Sequence, residues 1–371
     1  MALHITDIRI RHFAIPLDPP FRASWDHQVR TRFSATVVEV HTDQGLVGYG
    51  SGDAMYGFDQ FKHLFIGQEV GQMERHSDVL TMLAFHYARY WPLEIALWDV
   101  LGKAANMPLY RLWGGGYSNC IPAYCSTGEL HIPAQRVEEV LRFREQGFRA
   151  VKIRMRHEDI RRDLEVVSAV REAVGNTMEI IVDANQGWRM PGDVRRPWDV
   201  KRALYVAREL EQYDIYWLEE PLDHANFAGL SELRRATSLR IAAGELNRSP
   251  ADFREFVVQG CADVLQPDIV VCGGFGLGLK VAHLCAQHGL LFSPHTWGNG
   301  IGLIANLHLV AATGQCPFLE YPLDPPGWTV ERRDFILAEP IRVSSTGELE
   351  LSEKPGLGIE LRQDINQFEE R

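Results

Sequence analysis

The chain lacks the features that mark membrane, secreted or zinc-binding proteins. No uninterrupted apolar run reaches the ~18 residues of a membrane span, and no basic stretch followed by an apolar one opens the sequence, so no signal peptide is predicted. The six cysteines among 371 residues form no Cys-x-x-Cys pair, which is typical of reduced thiols. These absences favour a cytoplasmic protein without a membrane partner.

The chain also contains fewer basic than acidic residues. The 38 Lys and Arg residues face 49 Asp and Glu residues, which gives a formal net charge of −11. A chain of this charge is a poor partner for nucleic acid or for an anionic membrane. It can still bind a small anionic substrate, because basic residues or a metal ion reverse the potential within a single cleft.

What the middle of the chain does contain is a repeated pattern, in which an apolar segment ends in a carboxylate. The three acids are Asp183, Glu219 and Glu245. They are 36 and 26 residues apart, about one strand-helix-strand unit each, and successive strands of a parallel barrel end on the same rim. Three converging carboxylates repel one another unless a cation lies between them. An all-oxygen ligand set suits Mg²⁺, so one Mg²⁺ site is predicted; the alternative is that each acid only caps the next helix.

The surrounding patterns predict an α/β fold. Residues 4–16, Ala35–Val40 and Leu46–Gly50 are expected to form strands, the last two as a hairpin, and Pro92–Ala104 a helix. Beyond Gly114-Gly115-Gly116, strand and helix alternate. The strands are predicted to end near Ser126, Arg154, Asp183, Glu219, Gly244, Asp268, Pro294 and Glu320. Eight such strands predict a modified TIM-type (β/α)7β barrel, with an open doubly wound sheet as the alternative.

The predicted domains follow from this alternation. Residues 1–118 form an N-terminal α+β capping domain, residues 119–325 the catalytic barrel, and residues 326–371 a tail that returns to the capping domain. The capping domain and the tail are expected to form a lid over the barrel mouth, and the polar loop between residues 17 and 30 is expected to be part of that lid.

Two further pairs of residues are predicted at the rim. Asp268 and His295 are 27 residues apart, so neighbouring strand ends bring them together, and a carboxylate on one imidazole nitrogen raises the basicity of the other. His295 is therefore the predicted general base. Lys152 and Arg154 are two apart on one strand and point the same way; the alternative is a surface strand with solvated charges. Glu320 adds a further acid at the eighth strand.

Together with several shorter motifs, these residues make the chain resemble a known family over essentially its whole length. The motifs are Ala96-Leu97-Trp98-Asp99, Leu112-Trp113-Gly114-Gly115, Asp183-Ala184-Asn185, Glu219-Glu220-Pro221, Gly244-Glu245, the pair Asp268 and His295, and Glu320. They are similar to those of the enolase superfamily, and within it of the mandelate racemase subgroup. The resemblance implies a capped barrel that binds Mg²⁺ and removes the proton α to a carboxylate through an enediolate.

One departure from the subgroup pattern bears on the reaction. The second strand commonly carries Lys-x-Lys, whose second lysine is a base, and here the motif is Lys152-x-Arg154. Arginine stays protonated in nearly all proteins, so Arg154 is expected to bind the substrate carboxylate. A single base, His295, favours dehydration of an acid sugar to a 2-keto-3-deoxy acid.

Several alternatives and substrate contacts complete these expectations. A racemase or epimerase that uses Lys152 on the second face, a cycloisomerase, and a binding protein with a decayed site remain open. Asn185 and three capping-loop residues, Trp25, His27 and Tyr56, are expected to contact a small anionic carboxylate substrate. A homo-oligomer is also expected.

Overall fold

In the computed structural model, which describes residues 2–116 and 118–370, the chain begins with a three-stranded antiparallel sheet. Its strands are β1 (Ile5–Phe21), β2 (Arg30–Thr42) and β3 (Val47–Gly52). The predicted hairpin of β2 and β3 is confirmed. Gly45 takes a φ of 78° in its turn, a backbone conformation that costs glycine little.

Strand β1 is longer than predicted. It pairs with β2 up to Pro16, shifts register, and pairs again at Phe21, whereas the prolines after Leu17 had predicted a loop. Because β1 lies at the edge of the sheet, residues without an amide proton are tolerated there. Only residues 22–29 of the predicted lid therefore connect the two strands.

Helices pack against this sheet and complete the capping domain. They are α1 (Met73–His86), α2 (Trp91–Ala104) and α3 (Leu109–Leu112), with a 3-10 helix at Phe58–Leu64. Helix α2 lies so close to β3 that a Cβ at Gly50 would be 1.9 Å from the carbonyl oxygen of Pro92. Only glycine permits this approach, and the predicted helix is confirmed.

Eight parallel strands follow and form the barrel. They are β4 (Cys120–Ser126), β5 (Ala150–Arg154), β6 (Glu179–Asp183), β7 (Ile215–Glu219), β8 (Ile241–Ala243), β9 (Val264–Leu265), β10 (Leu291–Phe292) and β11 (Leu319–Pro322). Their order is sequential from β10 back to β4, with β11 beside β4. The Ser293 hydroxyl donates to the Phe318 carbonyl at 2.7 Å, which joins the two ends of the curled sheet. The predicted barrel is confirmed, since a doubly wound sheet would reverse its strand order.

Helices connect the barrel strands. They are α4 (Pro133–Glu145), α5 (Ile160–Val174), α6 (Val200–Leu210), α7 (Phe227–Ala236), α8 (Pro250–Val258), α9 (Ile269–Cys272), α10 (Gly274–His288) and α11 (Gly300–Thr313), with a 3-10 turn at Glu211–Tyr213. Within the described part of the chain, no helix is long and apolar enough to span a membrane.

Two of the barrel strands are shorter than predicted. Strand β9 ends at Leu265 and β10 at Phe292, although they were expected to continue to Asp268 and Pro294. Pro267 and Pro294 have no amide proton to give to a parallel neighbour, so the ladder stops before them. Asp268 instead caps α9, accepting the amide of Val270 at 3.1 Å.

The barrel interior is packed below the strand ends. A buried layer across the strands consists of Tyr124, Ala150, Ile181, Trp217, Ala242 and Val264. Residues two positions further along a strand face the same interior. This alternation places Lys152, Asp183 and Glu219 directly above the apolar layer, at the carboxyl ends of their strands.

The tail binds both parts of the molecule. It contains α12 (Val330–Arg333), β12 (Glu348–Glu350) and a 3-10 helix at Ile365–Phe368. Strand β12 pairs antiparallel with β4 of the barrel. The Leu357 amide donates to Asp99 of α2 at 2.7 Å, and the Glu370 amide donates to the His12 carbonyl at 2.8 Å. The tail thus contacts both the barrel and the capping domain.

Candidate active site

The carboxyl ends of the barrel strands bring five carboxylates and three basic side chains into one buried cluster. The carboxylates belong to Asp183, Glu219, Glu245, Asp268 and Glu320, and the basic side chains to Lys152, Arg154 and His295. All eight were singled out from the sequence. None of these side chains is more than 14% exposed, so their charges interact through protein rather than through water.

Lys152 lies at the centre of the carboxylates. Its Nζ atom is 2.5 Å from Glu219, 2.8 Å from Glu320 and 3.4 Å from Asp183, and the side chain is fully buried. Burial disfavours its charged form, but Glu219 and Glu320 outweigh that effect and raise the pKa of Lys152 above its ordinary value. Lys152 is thus held as a structural cation, away from solvent.

Arg154 is bound on nearly every side. Its guanidinium donates to Asp183, to the Thr127 carbonyl at 2.6 Å, and to Asn185 at 3.4 Å. Its Cζ atom also lies 4.6 Å from the ring centre of Trp25 and 5.2 Å from that of Trp297, within cation–π range. The side chain is therefore fixed where it reaches the cavity described below.

In each of the three predicted metal ligands, one carboxylate oxygen accepts a hydrogen bond from an uncharged N–H group. Asp183 Oδ1 accepts the Asn185 amide at 2.8 Å, and Glu219 Oε2 accepts the Trp217 indole at 3.0 Å. Glu245 Oε1 accepts the Trp188 indole at 2.6 Å. The second oxygen of each acid faces Lys152, Arg154 or His295 instead. In all three acids, therefore, one oxygen is held by an N–H group and the other faces a basic side chain.

The pKa values of these acids diverge because their neighbours differ. Burial raises the pKa of Asp183 to about 7 and raises that of Glu245 as well. Burial also acts on Glu219 and Glu320, but Lys152 outweighs it and holds the pKa of both carboxyls below their ordinary values. The two acids nearest the ammonium group are therefore the most firmly ionised.

Asp268 and His295 meet as predicted. Oδ2 of Asp268 is 3.0 Å from Nδ1 of His295, and its other oxygen accepts the amide of Asn306 at 3.0 Å. Nε2 of His295 lies 3.8 Å from both Glu245 and Glu320. Burial lowers the pKa of the imidazole, but Glu245, Glu320 and Asp268 outweigh burial and raise it to about 10.

The carboxylates of the cluster form a candidate site for Mg²⁺. Among residues 2–116 and 118–370, no three His, Cys, Asp or Glu side chains are arranged to hold a metal ion as they stand. Instead, Lys152 contacts Glu219 and Arg154 contacts Asp183. The donors nonetheless fit, since all are carboxylate oxygens. Glu220 is a further buried carboxyl group whose pKa is raised by burial and then by Glu245 and Asp183, and a cation would relieve the repulsion among these acids.

A cavity of about 190 Å³ opens beside this cluster. It is lined by Trp25, Arg30, Arg154, Asn185, Trp188, Glu245, His295 and Trp297. Trp25 and Asn185 were predicted substrate contacts, and the structure places both on the wall. Arg30, Trp188 and Trp297 were missed, although Trp188 follows the Asp183-Ala184-Asn185 motif closely and Trp297 is two residues after His295.

The structure does not bring His27 and Tyr56 to the cavity. A Cβ at Gly192 would lie 3.0 Å from the His27 ring, so this imidazole packs on the loop after β6. Tyr56 is 72% exposed, and its ring lies 5.0 Å from that of His12. In the connection between β1 and β2, Trp25 lines the cavity and His27 does not, and Tyr56 lies on a different segment, after β3.

Comparison with known proteins gives two matches that together span most of the chain. Residues 5–114 match the family described as mandelate racemase / muconate lactonizing enzyme, N-terminal domain. Residues 135–365 match the family described as enolase C-terminal domain-like.

Individual relatives differ in the reactions they are named for. The D-galactarolactone cycloisomerase of Agrobacterium fabrum is 28% identical over 98% of this chain and 97% of its own. The L-talarate/galactarate dehydratase of Salmonella typhimurium is 31% identical over 75% of this chain and 64% of its own. The crystal structure of a racemase from Streptomyces coelicolor with bound magnesium superposes with a TM-score of 0.84, at 26% identity, over 99% of this chain and 100% of that one.

Proposed function

Because the chain belongs to the mandelate racemase and muconate lactonizing enzyme family of the enolase superfamily, we propose that it dehydrates an acid sugar to a 2-keto-3-deoxy acid. The reaction begins with removal of the proton α to the substrate carboxylate. The substrate is a small anion, which suits the cationic groups Arg30 and Arg154 on the cavity wall.

The observation that carries this proposal is the set of bases at the cavity. Among the described residues that line it, His295 is the only imidazole, and there is no lysine. Racemisation needs a proton donor or acceptor on each face of the α-carbon, whereas elimination of water needs one group that removes a proton and returns it to the leaving hydroxide. A single mobile proton carrier therefore favours elimination.

His295 performs both proton transfers on one face. Nε2 takes the α-proton while Asp268 holds the proton on Nδ1, which fixes the tautomer. The imidazolium then gives its proton to the β-hydroxyl group, and the C–O bond breaks to release water. The resulting enol becomes the 2-keto acid when its C3 takes a proton from solvent.

The remaining charged residues bind and orient. Arg154 binds the substrate carboxylate, since its planar guanidinium is fixed and stays protonated. Asp183, Glu219 and Glu245 would hold Mg²⁺, which when bound supplies positive charge that stabilises the enediolate. Of these three acids, Glu245 is one of the groups that raise the pKa of His295, so a cation held there would oppose that effect and favour the neutral imidazole that a base requires.

Cycloisomerisation is the second candidate, favoured by the similarity to the Agrobacterium fabrum cycloisomerase over 98% of this chain. That chemistry is also compatible with a single base that removes an α-proton. A racemase is less well supported, because its second base would have to be Lys152. The ammonium group of Lys152 is fully buried among three carboxylates and does not line the cavity.

A library of aldonates and aldarates tests the proposed reaction. With Mg²⁺, at least one of these acids is expected to yield a 2-keto-3-deoxy acid, detected as its semicarbazone, and removal of the metal with EDTA should stop the reaction. Formation of a lactone or ring-opened isomer without 2-keto acid would identify the cycloisomerase instead. No turnover of any acid, or turnover unaffected by EDTA, would contradict the proposal.

A further inference from the structure

The indole of Trp188 makes a contact that the proposed reaction does not use. Its Nε1 atom donates to Oε1 of Glu245 at 2.6 Å, while the other oxygen of Glu245 lies 3.8 Å from Nε2 of His295. We propose that Trp188 is a positioning residue, which holds Glu245 in the orientation that binds Mg²⁺. This inference rests on the proposed function.

The backbone that precedes Trp188 is hydrogen-bonded to the segment that follows β7. The Gly187 carbonyl accepts the amide of His224 at 3.0 Å, and the Gln186 amide donates to the Glu220 carbonyl at 2.9 Å. A Cβ at position 187 would lie 2.1 Å from the Glu220 carboxyl group, so a larger residue there would displace that side chain. The indole therefore reaches Glu245 from a rigid support, as a preorganised donor must.

Glu245 needs such a donor more than the other two acids do. Asp183 is fixed by an amide two residues away, and Glu219 by the indole of Trp217 on its own strand. Glu245 lies beyond the end of β8, which stops at Ala243, and its donor comes from the loop after β6. Without the indole, the Glu245 carboxylate would keep its contact with His295, but that contact is 3.8 Å long and is no hydrogen bond.

A second tryptophan of the cavity wall, Trp297, provides a matched control for removal of the Trp188 indole N–H. Trp297 also lines the cavity, and its ring lies 4.8 Å from that of Trp25. Its Nε1 atom is buried and has no hydrogen-bond partner among the described residues. Replacing either tryptophan by phenylalanine removes a similar part of the cavity wall, but only the change at position 188 removes a donor to Glu245.

The test is calorimetric titration of the metal-free proteins with MgCl₂ in the absence of substrate. Trp188→Phe is expected to weaken Mg²⁺ binding about 10–100-fold, the usual cost of removing a hydrogen-bond partner of a ligand. Trp297→Phe is expected to keep the wild-type Kd within about threefold, since it removes no such partner. Thermal unfolding checks that each variant is folded; if Trp188→Phe is not, Trp188→Leu, which also lacks the N–H, takes its place.

The outcomes separate this inference from the proposed function. Equal Mg²⁺ affinity in wild type and the Trp188 variant overturns the positioning role while leaving the proposed reaction intact. An equal loss in Trp297→Phe also overturns it, because the effect would then come from cavity packing. If the wild-type protein binds no Mg²⁺ at all, the proposed function fails and the inference fails with it.

Discussion

His295→Asn is expected to abolish conversion of the substrate and exchange of its α-proton with solvent. The substitution keeps a polar side chain of similar size but removes the nitrogen that takes the proton. Loss of a general base costs about 10²–10⁴-fold in rate, and the loss is larger where the same group also protonates the leaving hydroxide. The measurement is the rate of 2-keto acid formation together with deuterium incorporation at the α-carbon in D₂O.

A second histidine provides the control for that experiment. His283 lies exposed on α10, so His283→Asn is expected to retain wild-type rates. Calorimetric Mg²⁺ binding by His295→Asn should also remain, which distinguishes a lost base from a lost site. Retention of more than about one tenth of wild-type turnover by His295→Asn would contradict its assignment as the base, because that loss falls below the range for a general base.

Lys152→Met is expected to destabilise the fold strongly. The substitution removes the ammonium group that lies 2.5 Å from Glu219 and 2.8 Å from Glu320, and leaves both carboxylates buried without their cation. Breaking a buried ion pair in this way costs about 3–5 kcal/mol. Urea unfolding in EDTA, followed by circular dichroism, measures the free energy of unfolding directly.

An exposed ion pair shows whether the burial of Lys152 is the reason that Lys152→Met destabilises the fold. Lys354 contacts Glu360 at 2.7 Å, but both side chains are more than 60% exposed. Lys354→Met should therefore leave the free energy of unfolding nearly unchanged. If Lys152→Met were no more destabilising than Lys354→Met, Lys152 would not be the structural cation described above, and its availability as a second base would need to be considered again.

The rim of the barrel was predictable because it follows from local periodicity. An apolar strand followed by an acid places that acid at the carboxyl end of a parallel barrel, and this rule located Asp183 and Glu219 at the strand ends where the structure has them. The same rule brought Asp268 and His295 together across neighbouring strands. It gave the wrong ends for β9 and β10, where a proline stops the ladder earlier.

The way the charges pair was not predictable from the same patterns. The alternation of side chains along each strand placed Lys152 and Asp183 on the same interior face. It carries no information about which basic side chain pairs with which carboxylate. The sequence therefore predicted carboxylates that converge directly, whereas the structure places Lys152 and Arg154 among them. Such pairing depends on side-chain lengths and distances across the barrel, which no spacing along the chain records.

The cavity wall was predicted only in part for a related reason. Trp25, Trp188 and Trp297 come from three loops that are more than 100 residues apart, and their meeting is set by how the capping domain sits on the barrel. Within the lid, Trp25 and Arg30 point into the cavity whereas His27 does not. Irregular backbone between β1 and β2 has no fixed period, so the sequence could not distinguish them.

The central claim, that one base removes an α-proton and elimination follows, is tested most directly by isotope labelling. The wild-type enzyme is incubated with Mg²⁺ and its acid-sugar substrate in D₂O, and both product and recovered substrate are analysed by NMR. We expect a 2-keto-3-deoxy acid with one deuterium at C3, and recovered substrate of unchanged configuration at the α-carbon. Rapid epimerisation of the recovered substrate, persisting in His295→Asn as exchange on one face, would contradict the account and show that a second base acts on the opposite face.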